Sequence, residues 1–359
     1  MKAMRAILLS LALAFWALPA GATRAADTPE LVIAAVPDLQ NYCSSQPAPI
    51  QKRSLGIAQL QKLVRDVIAT KPDFVLQVGD ITDTTGGPDQ NGTAADADDP
   101  DTFVTSPSMY TEEVTCVKEN FFDPLDAAGI PWLAVSGNHD SYRDFERALP
   151  AAAFLANPYG FAVQSRVGAW HKGFTDTEQR AALFQTPIGP ICVVGGDYSM
   201  DATDEAWAAQ QIGCGASHPT ISLRHYLACS EEMGVAKPEN SEVFLCLFGH
   251  VTPKMPGVMQ DVNMRKTRGG FEALDVFTNS QEVSLACGGG NTDGSSMHTG
   301  VGWWTLIRVA PGKNAVSVTA RSPLFPGKDN DPSCGNTYRN GTFEFEPSLC
   351  SRFPGGPGC

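Results

Sequence analysis

Five times along this chain an apolar run breaks off at a side chain that can ligate a metal or move a proton. LVIAAV (31–36) runs into Pro37-Asp38 and on to Gln40, and DFVLQV (73–78) into Gly79-Asp80 with Asp83 beyond. IPWLAV (130–135) ends in Ser136-Gly137-Asn138-His139-Asp140. TISLR (220–224) meets His225, and EVFLCLF (242–248) meets Gly249-His250. Each apolar run reads as a buried strand. Polar groups at the mouth of such a strand cost free energy unless something satisfies them. In sheets built from strand-helix-strand units, ligand sites form in the crevice beyond the carboxyl ends of the strands. Residues distant in sequence are therefore expected to converge on one crevice. Gly79, Gly137 and Gly249 each precede a candidate ligand and allow a turn or a close approach there.

The spaces between these runs fit that plan. After the first strand, Leu60, Leu63, Val64, Val67 and Ile68 fall on one helical face, with Ser54 as candidate cap and Lys71-Pro72 as the stop. A strand, a helix and a second strand in succession imply a parallel pair. Residues 84–109, rich in Gly, Pro, Asp and Thr, read as a long surface loop. TEEVTCVKENFFDPLDAAG (111–129) reads as a helix whose end Pro124 disturbs. Residues 141–189 read as irregular. PICVVGG reads as a strand, DATDEAWAAQQI as a short helix, and GWWTLIRV and NAVSVTARS as a closing meander. The expected organisation is a leader (1–22), one domain (23–321) with 84–109 as a loop insertion, and a loop-rich, cysteine-containing tail (322–359).

The leader follows from Lys2 and Arg5 ahead of AILLSLALAFWAL, then small residues at Ala20–Ala22. That is the layout of a cleavable export signal, too short and wrongly flanked for a membrane span. A periplasmic or secreted protein is expected. All ten cysteines lie beyond the leader and include no CxxC pair. In an exported chain this favours disulfides over a zinc-thiolate cluster. Cys43, Cys116, Cys334, Cys350 and Cys359 lie in loop-like stretches and are the better bridge candidates. Cys192, Cys246 and Cys287 sit in or beside apolar runs and read as core residues. A formal net charge of -13 disfavours nucleic-acid phosphates as partners and suits bound cations.

Carboxylate, amide oxygen and imidazole are hard-to-borderline ligands suited to Mn, Fe or Zn. Their order along the chain, PDLQ, GDITD, SGNHD, LRHY and FGHVT, resembles the calcineurin-like metallophosphoesterases, from about residue 31 to residue 252. The resemblance implies an α/β fold of two mixed β-sheets packed face to face with flanking helices, a four-layer αββα sandwich. It implies one or two divalent or trivalent transition-metal ions and a small-molecule phosphoester substrate, hydrolysed as a phosphatase or phosphodiesterase would. Carried over by residue, Asp80 bridges two metals, Asn138, His225 and His250 complete one site, and Asp38 and Gln40 hold the other. His139 is the general acid, assisted by Asp140.

Two positions depart from the family pattern. Gln40 stands where histidine is commoner, and Thr252 replaces the last histidine. The site built on Asp38 has thus lost both usual imidazoles. Weak filling with help from a group such as Asp261, a single tightly held metal, and a catalytically weak binding protein on the same fold all remain open. Singly, Asp38 or Asp80 reads as a turn or cap residue and His225 as a satisfied core histidine; the ordered set makes them ligands. Asn91-Gly92-Thr93 and Asn340-Gly341-Thr342 fit the glycosylation pattern but read rather as ordinary Asn-Gly turns. CVVGGDYSMD also ends a run in Gly-Asp, at Asp197, outside the family order. Asp80→Ala is therefore expected to abolish metal uptake and Asp197→Ala to preserve it, as read by metal analysis of the two purified variants; the opposite result would show the register to be wrong.

Overall fold

A computed structural model describes residues 28–44, 53–82, 107–135, 137, 140, 163–166, 179–196, 202–226, 242–250, 260–266, 270–279, 302–324, 327 and 339–359. In chain order the strands are β1 (Leu31–Val36), β2 (Phe74–Gln77), β3 (Trp132–Ala134), β4 (Val163–Arg166), β5 (Gln179–Thr186), β6 (Gly189–Gly196) and β7 (Thr220–Arg224). There follow β8 (Val243–Phe248), β9 (Gln260–Lys266), β10 (Glu272–Thr278), β11 (Trp304–Ala310), β12 (Ala315–Arg321) and β13 (Gly341–Glu344). They form a six-stranded sheet ordered β13-β12-β11-β1-β2-β3 and a seven-stranded sheet ordered β4-β5-β6-β7-β8-β10-β9. Both are mixed, and one continuous hydrophobic core fills the space between them.

Register is what positions the site. β1, β2 and β3 are parallel, and Val36 pairs with Gln77 and Gln77 with Ala134. The segments that leave these strands, carrying Asp38, Asp80 and Gly137, therefore emerge side by side. In the other sheet Arg224 of β7 lies beside Phe248 of β8, so His225 and Gly249 leave together. The Gly249 N–H donates to the His225 carbonyl at 3.0 Å and ties the two exits.

Helices close the outer layers. α1 (Arg53–Ala69) buries Leu60, Leu63, Val64 and Val67, the face its periodicity predicts. It is also pinned by Trp304 Nε1, which donates to Asp66 Oδ2 at 2.9 Å. Ser54 already lies within α1 and is a first-turn residue, not the cap. The expected helix over 111–129 starts earlier and is broken. α2 (Pro107–Val117) passes into a π-helical turn, Lys118–Phe122, and then α3 (Asp123–Ala127). Pro124 sits in the first turn of α3, directly after the π-helical turn. The widened turn lets consecutive Phe121 and Phe122 both bury, the latter 4.2 Å from the Trp132 ring. On the opposite face α4 (Ala202–Gln211) seats Ala208 in a second cluster with Cys192, Val194 and Cys246.

Several expectations need correction. The stretch 141–189 is not wholly irregular, since it contains β4 and β5. QRAALFQT is made largely of helix-favouring residues, and pairing with β6 from Arg180↔Gly195 to Thr186↔Gly189 overrides that preference. β9 and β10 form an antiparallel pair the pattern reading leaves out. The tail contributes β13, which extends the first sheet against β12, and Asn340 Oδ1 braces it by accepting from Ala320 N at 2.7 Å. Cys43–Cys116 and Cys350–Cys359 are bridged as expected, but Cys116 lies in α2 and Cys350 in a 3₁₀ turn, not in loops. Cys192, though wholly buried in β6, is bridged to Cys214, and Cys246 is also disulfide-bonded. A strand cysteine on an outer face can reach the covering segment, which an apolar run does not reveal.

The two sheets meet through Phe74 of β2 and Phe184 of β5, stacked with ring centroids 4.5 Å apart and both buried. Phe184→Ala is expected to cost about 3–5 kcal/mol, seen as a lower denaturant midpoint with an unchanged slope.

Candidate metal centre

Asp80 is wholly buried just beyond β2 and takes a left-handed backbone (φ 52°), directly after Gly79 at φ 101°. His250 is left-handed too, at φ 67°. Such conformations cost about 1–3 kcal/mol each and persist only where the surroundings over-determine them. Here they do. Gln77, buried in β2, wraps the Gly79 peptide: its Oε1 accepts from Gly79 N at 2.9 Å and its Nε2 donates to Gly79 O at 2.6 Å. The Leu39 N–H donates to the Asp80 carbonyl at 2.7 Å, tying the β1 exit to the β2 exit. A Cβ on Gly137 would fall 2.1 Å from Asp80 Oδ1, so only glycine lets the β3 exit lie this close.

Three ligand atoms converge there. His225 Nε2 is 3.2 Å from Asp80 Oδ2 and 3.1 Å from His250 Nδ1. One ligand atom from each of Asp80, His225 and His250 lies within 4.8 Å of the others. His225 Nδ1 is 2.9 Å from the Val78 carbonyl, which can only accept, so Nδ1 carries a proton. With Nδ1 committed to Val78, Nε2 is the atom that His225 turns towards the Asp80 carboxylate and the His250 imidazole. The backbone carbonyl behind His225 is the usual partner of a metal-ligating imidazole. Burial alone would pull the His225 imidazole down. The Asp80 carboxylate, followed by Asp38 and the Val78 carbonyl, outweighs burial and pushes it up to about 9 in the metal-free chain. A positive charge is favoured at this spot, and a divalent ion meets the same demand.

Asp38 is buried beyond β1, its Oδ1 3.7 Å from His225 Nδ1. Gln40, in a short 3₁₀ turn, is also buried, and its Oε1 finds no hydrogen-bond partner among the described residues. A buried amide oxygen left in that state costs about 1–3 kcal/mol unless a ligand meets it, so this oxygen too fits a metal. Asp140 is braced from several sides. It accepts from Gly137 N (2.7 Å), Ile81 N (2.9 Å), Thr82 N (3.0 Å) and Thr82 Oγ1 (3.2 Å). These bonds lace the β3 exit to the loop that carries Asp80. Burial, then the Asp80 charge, raises its carboxyl to about 6 against those hydrogen bonds.

The structure thus brings together Asp38, Asp80, Asp140, His225 and His250, with Gln40 on the same exit segment as Asp38. Asn138, His139, Asp197 and Thr252 lie outside the described residues. Asp261 does not join the cluster. It lies on edge strand β9, accepting from Val262 N and Asn263 Nδ2, with Arg339 4.0 Å away. Two supporting residues escape the sequence reading. Gln77 has a faint signal, one amide in an otherwise apolar strand two residues before Gly-Asp. Arg180 has none: buried in β5, it donates from Nη1 to the Ala134 carbonyl at 2.9 Å, so the second sheet anchors the end of β3. Tyr226 stands edge-on to the His250 ring, centroids 5.0 Å apart.

A calcineurin-like phosphoesterase profile matches residues 31–251. The chain belongs to that family and is, with it, a metallophosphoesterase, an enzyme class that hydrolyses phosphoric esters with divalent metal ions. Among solved structures it is similar to a dimetal phosphatase from Danio rerio, at 10% identity and a TM-score of 0.44, over 88% of this chain and 99% of that one. It is also similar to the calcineurin-like phosphoesterase YfkN from Bacillus subtilis, at 13% identity and a TM-score of 0.34, over 83% and 87%. A search of curated proteins found no significant sequence match. The family assignment rests on the profile.

A methyl group at residue 137 would sit 2.1 Å from Asp80 Oδ1 and 2.4 Å from Asp80 N. Gly137→Ala is expected to weaken metal binding by about 10–100-fold while circular dichroism still reports the sandwich, with the affinity read by metal titration of the purified protein.

Proposed function

We propose that this chain is an exported phosphatase or phosphodiesterase that works with one or two divalent transition-metal ions on a small-molecule phosphoester. The observation that carries the reading is the convergence of Asp80, His225 and His250 from two sheets, with one metal-capable atom of each within 4.8 Å of the others. On this reading Asp80 is shared between two ions, Asn138, His225 and His250 complete one site, and Asp38 and Gln40 serve the other. When bound, such ions supply Lewis-acid activation of water and neutralise charge on the phosphoryl oxygens.

The remaining roles belong to the chain. His139 lies in sequence between a ligand and Asp140 and is assigned protonation of the leaving alkoxide. Asp140 is a positioning residue whose bonds to Gly137, Ile81 and Thr82 hold the backbone on both sides of the cleft. The Val78 carbonyl orients His225 so that Nε2 is the ligand atom. Export is supported by the leader pattern of residues 1–22 and by the disulfides Cys43–Cys116, Cys192–Cys214 and Cys350–Cys359, which suit an oxidising compartment. No helix among the described residues is long and apolar enough to cross a membrane. The domain plan is part of the same proposal, with two amendments: the cysteine-containing tail joins the domain through β13, and the insertion that starts at residue 84 ends where α2 begins.

A second reading has its own observation. Gln40 and Thr252 deprive the Asp38 side of imidazole, which favours a weakly catalytic metal-binding protein on the same fold. Turnover separates the two. The purified chain, loaded in turn with Mn, Fe or Zn, is expected to hydrolyse an aryl phosphate mono- or diester. His139→Ala should lower kcat by about 10²–10⁴-fold with its metal content unchanged. Bound metal without turnover on any of the esters would leave the second reading standing.

A further inference from the structure

Asp38 and Gln40 ride on a short arm, residues 37–44, that leaves β1 and is buried at Asp38, Leu39, Gln40, Tyr42, Cys43 and Ser44. Four separate contacts hold this arm. Leu39 N donates to the Asp80 carbonyl at 2.7 Å. The Tyr42 hydroxyl accepts from Gly302 N at 2.8 Å, just ahead of β11. The Tyr42 carbonyl presses on α1 so closely that a Cβ on Gly56 would lie 2.2 Å from its oxygen. Cys43 is bonded to Cys116 of α2, across a sequence separation of 73. The helical layer on the far side of that bond is itself fastened: Arg53 Nη1 meets Glu112 Oε2 at 3.1 Å, and Gln61 Nε2 donates to Asn120 Oδ1 at 2.8 Å.

This much fastening is more than a surface turn needs, and it falls on the half of the centre whose ligands are weakest. A neutral amide oxygen offers a cation less than imidazole does. Its contribution is largest when little conformational freedom remains to be lost on binding. The buried Gln40 Oε1, with no hydrogen-bond partner among the described residues, is held in that condition before any ion arrives.

We propose that the Cys43–Cys116 bridge and Tyr42 are positioning elements for the Asp38–Gln40 arm, preorganising a weak ligand set so that it retains a second cation. This rests on the metallophosphoesterase reading above. It ties occupancy of that half to an oxidising compartment, since in a reducing one the arm loses its covalent anchor.

The test is calorimetric titration with Mn²⁺ alone, with elemental analysis of stoichiometry, on the full mature chain and three variants. The unaltered chain is expected to take two ions. Cys43→Ser/Cys116→Ser should weaken the second by about 10–100-fold and leave the first unchanged. Tyr42→Phe keeps the ring and removes the hydroxyl; it should act in the same direction to a smaller degree, and it decides the matter alone if the double variant does not fold. Cys192→Ser/Cys214→Ser, which loses a bridge on the other sheet, should lower the melting temperature and spare both affinities. Equal second-ion affinity in the unaltered chain and both arm variants overturns the proposal, and so does equal weakening by the Cys192–Cys214 control. One ion in the unaltered chain also overturns it while leaving a one-metal hydrolase intact. No ion at all sinks the functional reading itself.

Discussion

A carboxylate with no exposure to solvent, Asp80, is the constraint around which the rest of the structure is arranged. A lone buried anion costs far more than a domain's net stability can absorb, so it must have company of opposite charge or many donors. The backbone bends into the left-handed region to place it, Gly137 gives up a side chain to let the neighbouring exit close over it, and His225 faces it at 3.2 Å. In the metal-free chain the charge demand is met by holding a proton on His225, whose affinity for it Asp80 and Asp38 raise. The position that stabilises this proton is also the position that suits a metal ion.

Rigidity comes from cross-bracing between elements remote in sequence. Asp140 ties the β3 exit to the β2 exit through main-chain donors, Leu39 ties β1 to β2, and Arg180 reaches from the second sheet to the end of β3. Left-handed backbone at Asp80 survives because those braces hold the segments around it. On the proposed ligand assignment the two halves of the centre are unequal. One has two imidazoles set by strand register, while the other has a carboxylate and an amide on an arm that must be held from outside.

The candidate site was legible in the sequence to the extent that its candidate ligands terminate apolar runs. Asp38, Asp80, Asp140, His225 and His250 all stand out because polar residues at the mouths of buried strands are conspicuous. Gln40 was legible only as a place in an ordered pattern. Gln77 and Arg180 were not, because each looks like an ordinary polar residue until the partner it reaches is known, and those partners are backbone carbonyls and amides with no sequence signature. The same reason hid the bracing by Asp140, whose bonds reach Gly137 nearby and Ile81 and Thr82 some sixty positions away. β5 carries no strand signal because its residues favour helix locally, and Cys192 reads as core because burial and bridging coexist on a sheet's outer face.

Local chemistry is enough to determine the kinds of ligand, their order, and the alternation of strand and helix that makes β1, β2 and β3 parallel. It also determines the face α1 buries, since periodicity is a property of consecutive residues. Tertiary structure alone decided that Val36, Gln77 and Ala134 lie abreast, that Arg224 lies beside Phe248, and that the two sheets bring these ends to one place. Those outcomes depend on register and sheet packing, which are settled by contacts summed over the whole core. No short stretch of sequence contains them, because the energies that fix them are shared between segments that never adjoin.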